Sequence, residues 1–334
     1  MYMYLSSFFF ALMGTTVKIL VARLPSDEVA LFRSLLPMVV LTPWLWSDAR
    51  RQGRAFLKEF PLLALRGLLG GTALILYFRS IALIDFSNAV NELTAEAVAA
   101  DVAKVKALGL PHKDTTDDDL PMSSRLYLAI KSFFENENLD ALTIREWPEM
   151  PNVFGQWPYF AVARLADEGR AIGIEGDADG ALGAWLVESL GLGRCYLSDW
   201  LEHDDKTITL WHGGAAPMSL CEPVGKPGGP QIAKHFNIKK PAVMEATLRA
   251  GMPVTIYRFW RCDGKYFLTA REGETLKPKR HLMATNGLAK MNCDPREWFE
   301  ELCHAGMPHH VAVIGGHHAA LLERLARALN IQTI

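Results

Sequence analysis

The chain has 334 residues and a formal charge of −2, long enough for two or three domains. That near-neutral average hides a split: residues 1–90 carry 9 Lys+Arg against 5 Asp+Glu, and the remainder carries 26 against 32. The basic excess at the front lies between apolar runs, which excludes a nucleic-acid footprint. The five cysteines (Cys195, Cys221, Cys262, Cys293, Cys303) are widely spaced and lack any CxxC, which excludes a disulfide framework or zinc knuckle.

Three apolar runs open the chain: Leu5–Ala22, Val29–Trp46 and Pro61–Ile84. Each approaches the ~20 residues that span a bilayer as a helix. The linker between the second and third carries Arg50, Arg51, Arg54 and Lys58, so the positive-inside rule puts it on the cytoplasmic side. No basic stretch precedes Leu5 and the pattern recurs, so a cleaved signal peptide is not expected. Membrane attachment through residues 5–84, in a bacterial inner (cytoplasmic) membrane, is the expectation; a buried soluble bundle is the competing reading of Arg33, Arg66 and Arg79. The stretches SSFFFALMGTTVKIL, EVALFRSLLPMVVL and LRGLLGGTALILYFRSIALIDFSNAV resemble the start of EamA-type drug/metabolite transporters. Such transporters have about ten helices around a midplane site, so transport by three is not expected.

Composition changes abruptly near residue 90. NELTAEAVAADVAKVKALGL has helical spacing and a polar face. HKDTTDDDLPMSS reads as a loop with helix-capping acids, and Ser123–Asn136 as an amphipathic helix. Leu139–Trp147 reads as a buried strand, 155–169 as a helix and Ala171–Ile174 as the next strand. Strand–helix–strand at this spacing predicts part of a parallel α/β layer. At the first strand's end, Arg145 and Trp147 could bind and stack on a sugar, or simply form a turn with a packing Trp.

Glu175 and Asp199 close two apolar runs 24 positions apart. Two carboxylates brought to one edge suggest a metal or acid/base site. EGDADG invites a calcium-loop reading, but position twelve would be Leu186 rather than a bidentate Glu. The better reading has Asp177 and Asp179 capping a helix from Ala181, which leaves Glu175 free. Glu202–Asp205 reads as a polar hairpin tip. His212 ends a strand before Gly213 and Gly214, as a structural residue or a ligand contact. PVTIYRFWRCDGKYFLTARE alternates around Asp263-Gly264, a hairpin signal that makes the C-terminal part mostly antiparallel β. His309-His310 and His317-His318 flank a last strand and helix; one of these imidazoles is expected to be a ligand. Two carboxylates and one imidazole suit Mn²⁺ or Mg²⁺, and the chemistry that fits is aldose–ketose isomerisation through an enediol.

ALTIREWPEMPNVFGQWPYFAVARL, GIEGDADGAL, YLSDWLEHDDKTITLWHGGAAP and PHHVAVIGGHHAALLERLARALNI resemble the L-fucose isomerase / L-arabinose isomerase group. The resemblance implies a metal held by Glu175, Asp199 and His310, with Glu175 and Asp199 as the acid/base pair. It makes His212 and His309, which depart from the family pattern, substrate-contact candidates beside Arg145 and Trp147. It also implies a small sugar as substrate and a homo-oligomer. The fold expectation is therefore mixed. Transmembrane-type helices over 1–90 precede a partial α/β layer over 91–190 and a mostly antiparallel β domain over 191–334. The family's first α/β domain and the start of its middle one have no counterpart here. The switch near residue 90 points to a join of unrelated pieces, and the rival readings are a transporter fragment with an incidental tail or a non-functional chimera.

Overall fold

The computed structural model describes residues 86–334. The expected membrane helices of residues 5–84 lie outside the described residues; among the described ones no helix is long and apolar enough to cross a membrane. Val90–Ile334 forms one compact unit.

After α1 (Phe86–Asn91), α2 (Ala95–Ala107) starts at Thr94, whose side chain accepts the Ala97 N–H. It buries Val98, Asp101 and Val105, one helical stripe. Asp101 is paired bidentately with buried Arg164 at 2.7 and 2.8 Å, which ties α2 to α5 (Tyr159–Asp167). The acidic run before Pro121 does not cap α3 (Leu120–Asn136), which starts without a side-chain cap bond; it forms a 3-10 turn over Asp117–Asp119, where Asp119 accepts the Thr116 N–H at 2.9 Å in a capping box. β2 (Ala141–Thr143) pairs in parallel with β3 (Ala171–Gly173) as a separate two-stranded sheet, and α4 (Glu149–Phe154) and α5 form the crossover. The expected buried strand 139–147 is thus only three residues long and half-buried. Pro148 and Pro151 follow at once, and the chain turns into α4 instead of extending the ladder.

The large sheet contains ten strands. Its outer part is β1 (His112–Lys113), β6 (Gln231–Ala233) and β7 (Val243–Thr247). Its main part is β4 (Tyr196–His203), β5 (Thr207–His212), β8 (Pro253–Cys262), β9 (Lys265–Leu276), β10 (Thr285–Met291) and β11 (His310–Gly315). These six run β10–β5–β4–β11–β8–β9, and β9 pairs back onto β10. Every one of those pairings is antiparallel, so the strands close into a ring with no free edge among them. β12 (Gln332–Thr333) adds to β9 in parallel. The hairpin expected at Asp263-Gly264 joins β8 to β9. Tyr196, Leu210, Ile256, Trp260, Trp298 and Val313 lie in the main core, with Trp298 supplied by α7 (Pro295–His304).

α6 (Ala178–Ser189) is apolar on most sides because it lies between two layers. It packs on β3 and on β8, where a Cβ on Gly183 would lie 3.5 Å from the Tyr257 ring and the Gly183 carbonyl accepts the Tyr257 hydroxyl at 2.9 Å. This contact seats the N-terminus of α6 against the barrel, where the site is built.

Candidate metal centre

Glu175 follows β3 in a left-handed conformation, φ 56°, next to Gly176 at φ 73°. A non-glycine residue there costs about 1–3 kcal/mol unless its surroundings hold it. What holds it is Glu146, which is fully buried and accepts the Glu175 N–H with both carboxylate oxygens, at 2.9 and 3.2 Å. Glu146 also accepts the Tyr159 hydroxyl at 3.1 Å. Burial pushes the Glu146 carboxyl up to about 7, against the opposing pull of these donors.

Asp199 does not end its strand as expected. It is the fourth of eight residues in β4, which runs on through His203 with a bulge after Trp200. The tip proper is Asp204–Lys206, where Asp204 accepts the N–H groups of Lys206 and Thr207 at 2.9 and 2.7 Å. The physical reason is alternation: Trp200 faces the core, so Asp199 faces the other side. Its direct cross-strand partners are His310 on β11 and Trp211 on β5. Residues opposite each other in an antiparallel pair share a face, and that places the carboxylate beside the imidazole.

His310 Nε2 lies 3.7 Å from Glu175 Oε2 and 3.7 Å from Asp199 Oδ1. His309 Nε2 lies 3.4 Å from Asp199 Oδ1 and 4.0 Å from Glu175 Oε2, and His212 Nε2 lies 3.9 Å from Glu175 Oε1. Glu175, His212 and His310 form one group with metal-ligand spacing, and Asp199, His309 and His310 another. His310 is 3% exposed, and its Nε2 is a buried nitrogen with no hydrogen-bond partner among the described residues. Its other nitrogen, Nδ1, is 2.9 Å from Asp177 Oδ2. A carboxylate on Nδ1 fixes the proton there and leaves the Nε2 lone pair facing Glu175 and Asp199. An orphaned nitrogen facing two carboxylate oxygens is a donor set that fits a divalent cation. Burial raises the pKa of Asp199 from its ordinary value, with Glu175 adding to the rise and His310 and His309 opposing it.

Asp177 was expected only as a cap. It does cap α6, which starts three residues earlier than read, by accepting the Gly180 N–H at 2.8 Å. It also takes a bidentate pair from Arg258 on β8 at 2.7 and 2.8 Å. Burial alone would raise its pKa; the His310 ring and the Arg258 guanidinium outweigh that and hold it well below the usual carboxylate range. Asp179 sits in the first turn of α6, 3.3 Å from Arg261.

A cavity of about 280 Å³ opens beside the carboxylates, lined by Trp147, Tyr159, Trp211, His212, His235 and Phe236 among others. Trp147 is 41% exposed and stacks on buried Trp157 at 5.2 Å, which in turn stacks on Tyr159 and His235. Gly213 is needed here: a Cβ would lie 2.6 Å from the Tyr159 ring. His212 Nδ1 accepts the Gly213 N–H at 2.7 Å, so its proton resides on Nε2, toward the carboxylates. Arg145 lies outside this group; its guanidinium points to solvent and pairs with Glu149 at 3.3 Å. Sequence reasoning missed Glu146, Tyr159, His235 and Arg258. Glu146 and Tyr159 lie inside the stretch ALTIREWPEMPNVFGQWPYFAVARL and Arg258 inside PVTIYRFWRCDGKYFLTARE, but no local pattern marks them as site residues.

Residues 242–334 match the family model of the L-fucose isomerase C-terminal domain, and residues 1–100 match that of the EamA-like transporter family. The sulfoquinovose isomerases of Priestia aryabhattai and Priestia megaterium (strain ATCC 12872 / QMB1551) are each 29% identical over 234 residues, 69% of this chain and 51% of theirs. That of Alkalicoccus urumqiensis is 27% identical over 209 residues, 62% of this chain and 46% of its own. The chain spans about half the length of the curated relatives it matches. It therefore carries an EamA-like segment at its front and, behind it, a portion that resembles the L-fucose isomerase family and ends in that family's C-terminal domain.

Proposed function

We propose that Glu175, Asp199 and His310 form the metal centre of an aldose–ketose sugar isomerase, attached to a membrane through the EamA-like segment. The observation that carries this reading is the orphaned His310 Nε2 facing two carboxylates from separate strands. A divalent cation bound there, Mn²⁺ or Mg²⁺ in the first instance, would hold two neighbouring sugar oxygens and polarise the carbonyl. Glu175 and Asp199 then relay the proton, one taking it from one carbon and the other returning one to its neighbour. Burial raises the pKa of Asp199, a direction that favours its taking up a proton. His212 presents Nε2–H to a sugar oxygen, and Trp147 offers an apolar face to the ring. The names of the relatives make sulfoquinovose the first sugar to test.

The test uses the full chain in detergent with Mn²⁺, offered sulfoquinovose, L-fucose and L-arabinose, with the ketose product followed by NMR. Turnover abolished by chelation and by Glu175→Gln or Asp199→Asn is expected. Turnover that persists in either variant would overturn the assignment. The match of residues 1–100 favours a second reading, a transporter fragment whose tail is incidental. A tail without a role would bind no metal and turn over no sugar. Membrane attachment is checked separately: release of the chain by alkaline carbonate without detergent would refute it.

A further inference from the structure

We propose that His309 is a fourth protein donor at this centre, so that the metal set is Glu175, Asp199, His309 and His310. This rests on the reading of the site as a metal centre. His309 Nε2 is closer to Asp199 Oδ1, at 3.4 Å, than His310 Nε2 is, at 3.7 Å. It also faces the same oxygen of Glu175 that His310 faces, Oε2, at 4.0 Å. Metal bonds of about 2.1 Å place neighbouring donors about 3.0 Å apart in an octahedron and about 3.4 Å apart in a tetrahedron. The four imidazole–carboxylate separations, 3.4 to 4.0 Å, lie up to about 0.6 Å beyond the tetrahedral spacing and up to about 1 Å beyond the octahedral one, a closure that side-chain rotation of exposed His309 and half-exposed Glu175 can supply.

Adjacent residues in a regular strand point to opposite faces. His309 precedes β11, and its ring lies beside that of His310 with centroids 4.1 Å apart, so the chain entry lets both aim at one point. The rival imidazole is His212. Its Nδ1 is occupied by the Gly213 N–H, its Nε2 carries the proton, and it faces the other oxygen of Glu175. That makes it a donor to oxygen and leaves no lone pair for a cation. Two imidazoles move the preference from Mg²⁺ and Mn²⁺ toward Co²⁺, Ni²⁺ and Zn²⁺. In a six-coordinate set they also leave two positions, the number that two adjacent sugar oxygens need.

The experiment strips the full chain in detergent with a chelator and measures Co²⁺ and Mn²⁺ affinity for wild type, His309→Asn, Glu175→Gln and the distant surface control His304→Asn. X-ray absorption then counts imidazoles in the Co²⁺ form. The expected result is a loss of roughly 100-fold in Co²⁺ affinity in His309→Asn, at or beyond what outer partners of a metal ligand cost. Mn²⁺ affinity should fall by less, His304→Asn should be unchanged, and the imidazole count should go from two to one. Unchanged Co²⁺ affinity in His309→Asn with binding lost in Glu175→Gln would overturn the role of His309 alone. Two imidazoles persisting in His309→Asn would overturn it in favour of His212. No metal bound by the wild type would overturn the metal reading with it.

Discussion

Replacing Asp177 by Asn removes one charge and little else. Asn caps helices as well as Asp, so the start of α6 should be nearly unaffected. Arg258, however, is 2% exposed and would lose its carboxylate. Breaking a buried pair by removing one partner costs about 3–5 kcal/mol, because the remaining charge is uncompensated. The same substitution loosens the hold on His310 Nδ1, and loss of such a partner typically lowers metal affinity by roughly 10–100-fold. Denaturant unfolding of the detergent-solubilised chain, followed by tryptophan fluorescence, reads the first effect; Co²⁺ titration reads the second. The double variant Asp177→Asn/Arg258→Met separates them. Stability should recover by at least half, since the buried charge is gone, while metal affinity should stay low. Stability within about 1 kcal/mol of wild type in the single variant, far short of the buried-charge cost, would refute the electrostatic argument. Metal affinity restored in the double variant would show that Asp177 acts only through Arg258.

Glu146→Ala leaves the Glu175 N–H and the Tyr159 hydroxyl without an acceptor, at about 1–3 kcal/mol each; Glu146→Gln keeps one and should lose less, and thermal unfolding ranks the two. Burial lowers the His235 imidazole from its ordinary 6.5 to about 4, so it folds neutral. Its stabilising contribution is full above pH 6.5 and is lost as the pH falls toward 4. That drop is worth ~3 kcal/mol unscreened and about 2 with solvent screening, so His235→Phe should gain about that much relative to wild type between pH 7 and pH 4. Trp147→Ala should raise KM for the sugar by about fivefold, the loss of roughly 1 kcal/mol of ring contact. Arg145→Ala, which alters only a solvent-exposed pair, should leave KM unchanged.

Much of the local architecture was legible because it is periodic. The alternation around Asp263-Gly264 gave β8 and β9, and ITLW and VAVI gave β5 and β11. Glu175 was legible as a polar residue at the end of an apolar run; His310 was one of four histidines around the last strand, and only the family resemblance distinguished it. The strand 139–147 misread because apolar content was taken for burial; the prolines that follow shorten it, and α6 rather than a wide sheet covers it. Asp199 was placed correctly beside the others but in the wrong local setting, since an eight-residue strand with a bulge hides its true end. The partners of Asp177 were not legible at all. Arg258 and His310 are 81 and 133 residues away, and no local pattern encodes a contact at that distance.

Those long-range partners divide the carboxylates by task. Asp177 is held by a guanidinium, an imidazole and the first turn of α6, whose N-terminus also favours negative charge. Three sources of positive potential keep it ionised across the working range, and a group that cannot pick up a proton is suited to fixing a tautomer. Among the described residues the ion-pair partners of Asp199 are imidazoles rather than a guanidinium, and burial raises its pKa. A group in that state can exchange a proton with a ligand in the cavity. The two aspartates lie on either side of the same His310 ring, one at each nitrogen. The ring thus joins a fixed anion to an exchangeable one, and substitutions on its two sides should have different signatures: lost stability through Arg258 together with weaker metal binding for Asp177, and lost metal binding and turnover without that stability cost for Asp199.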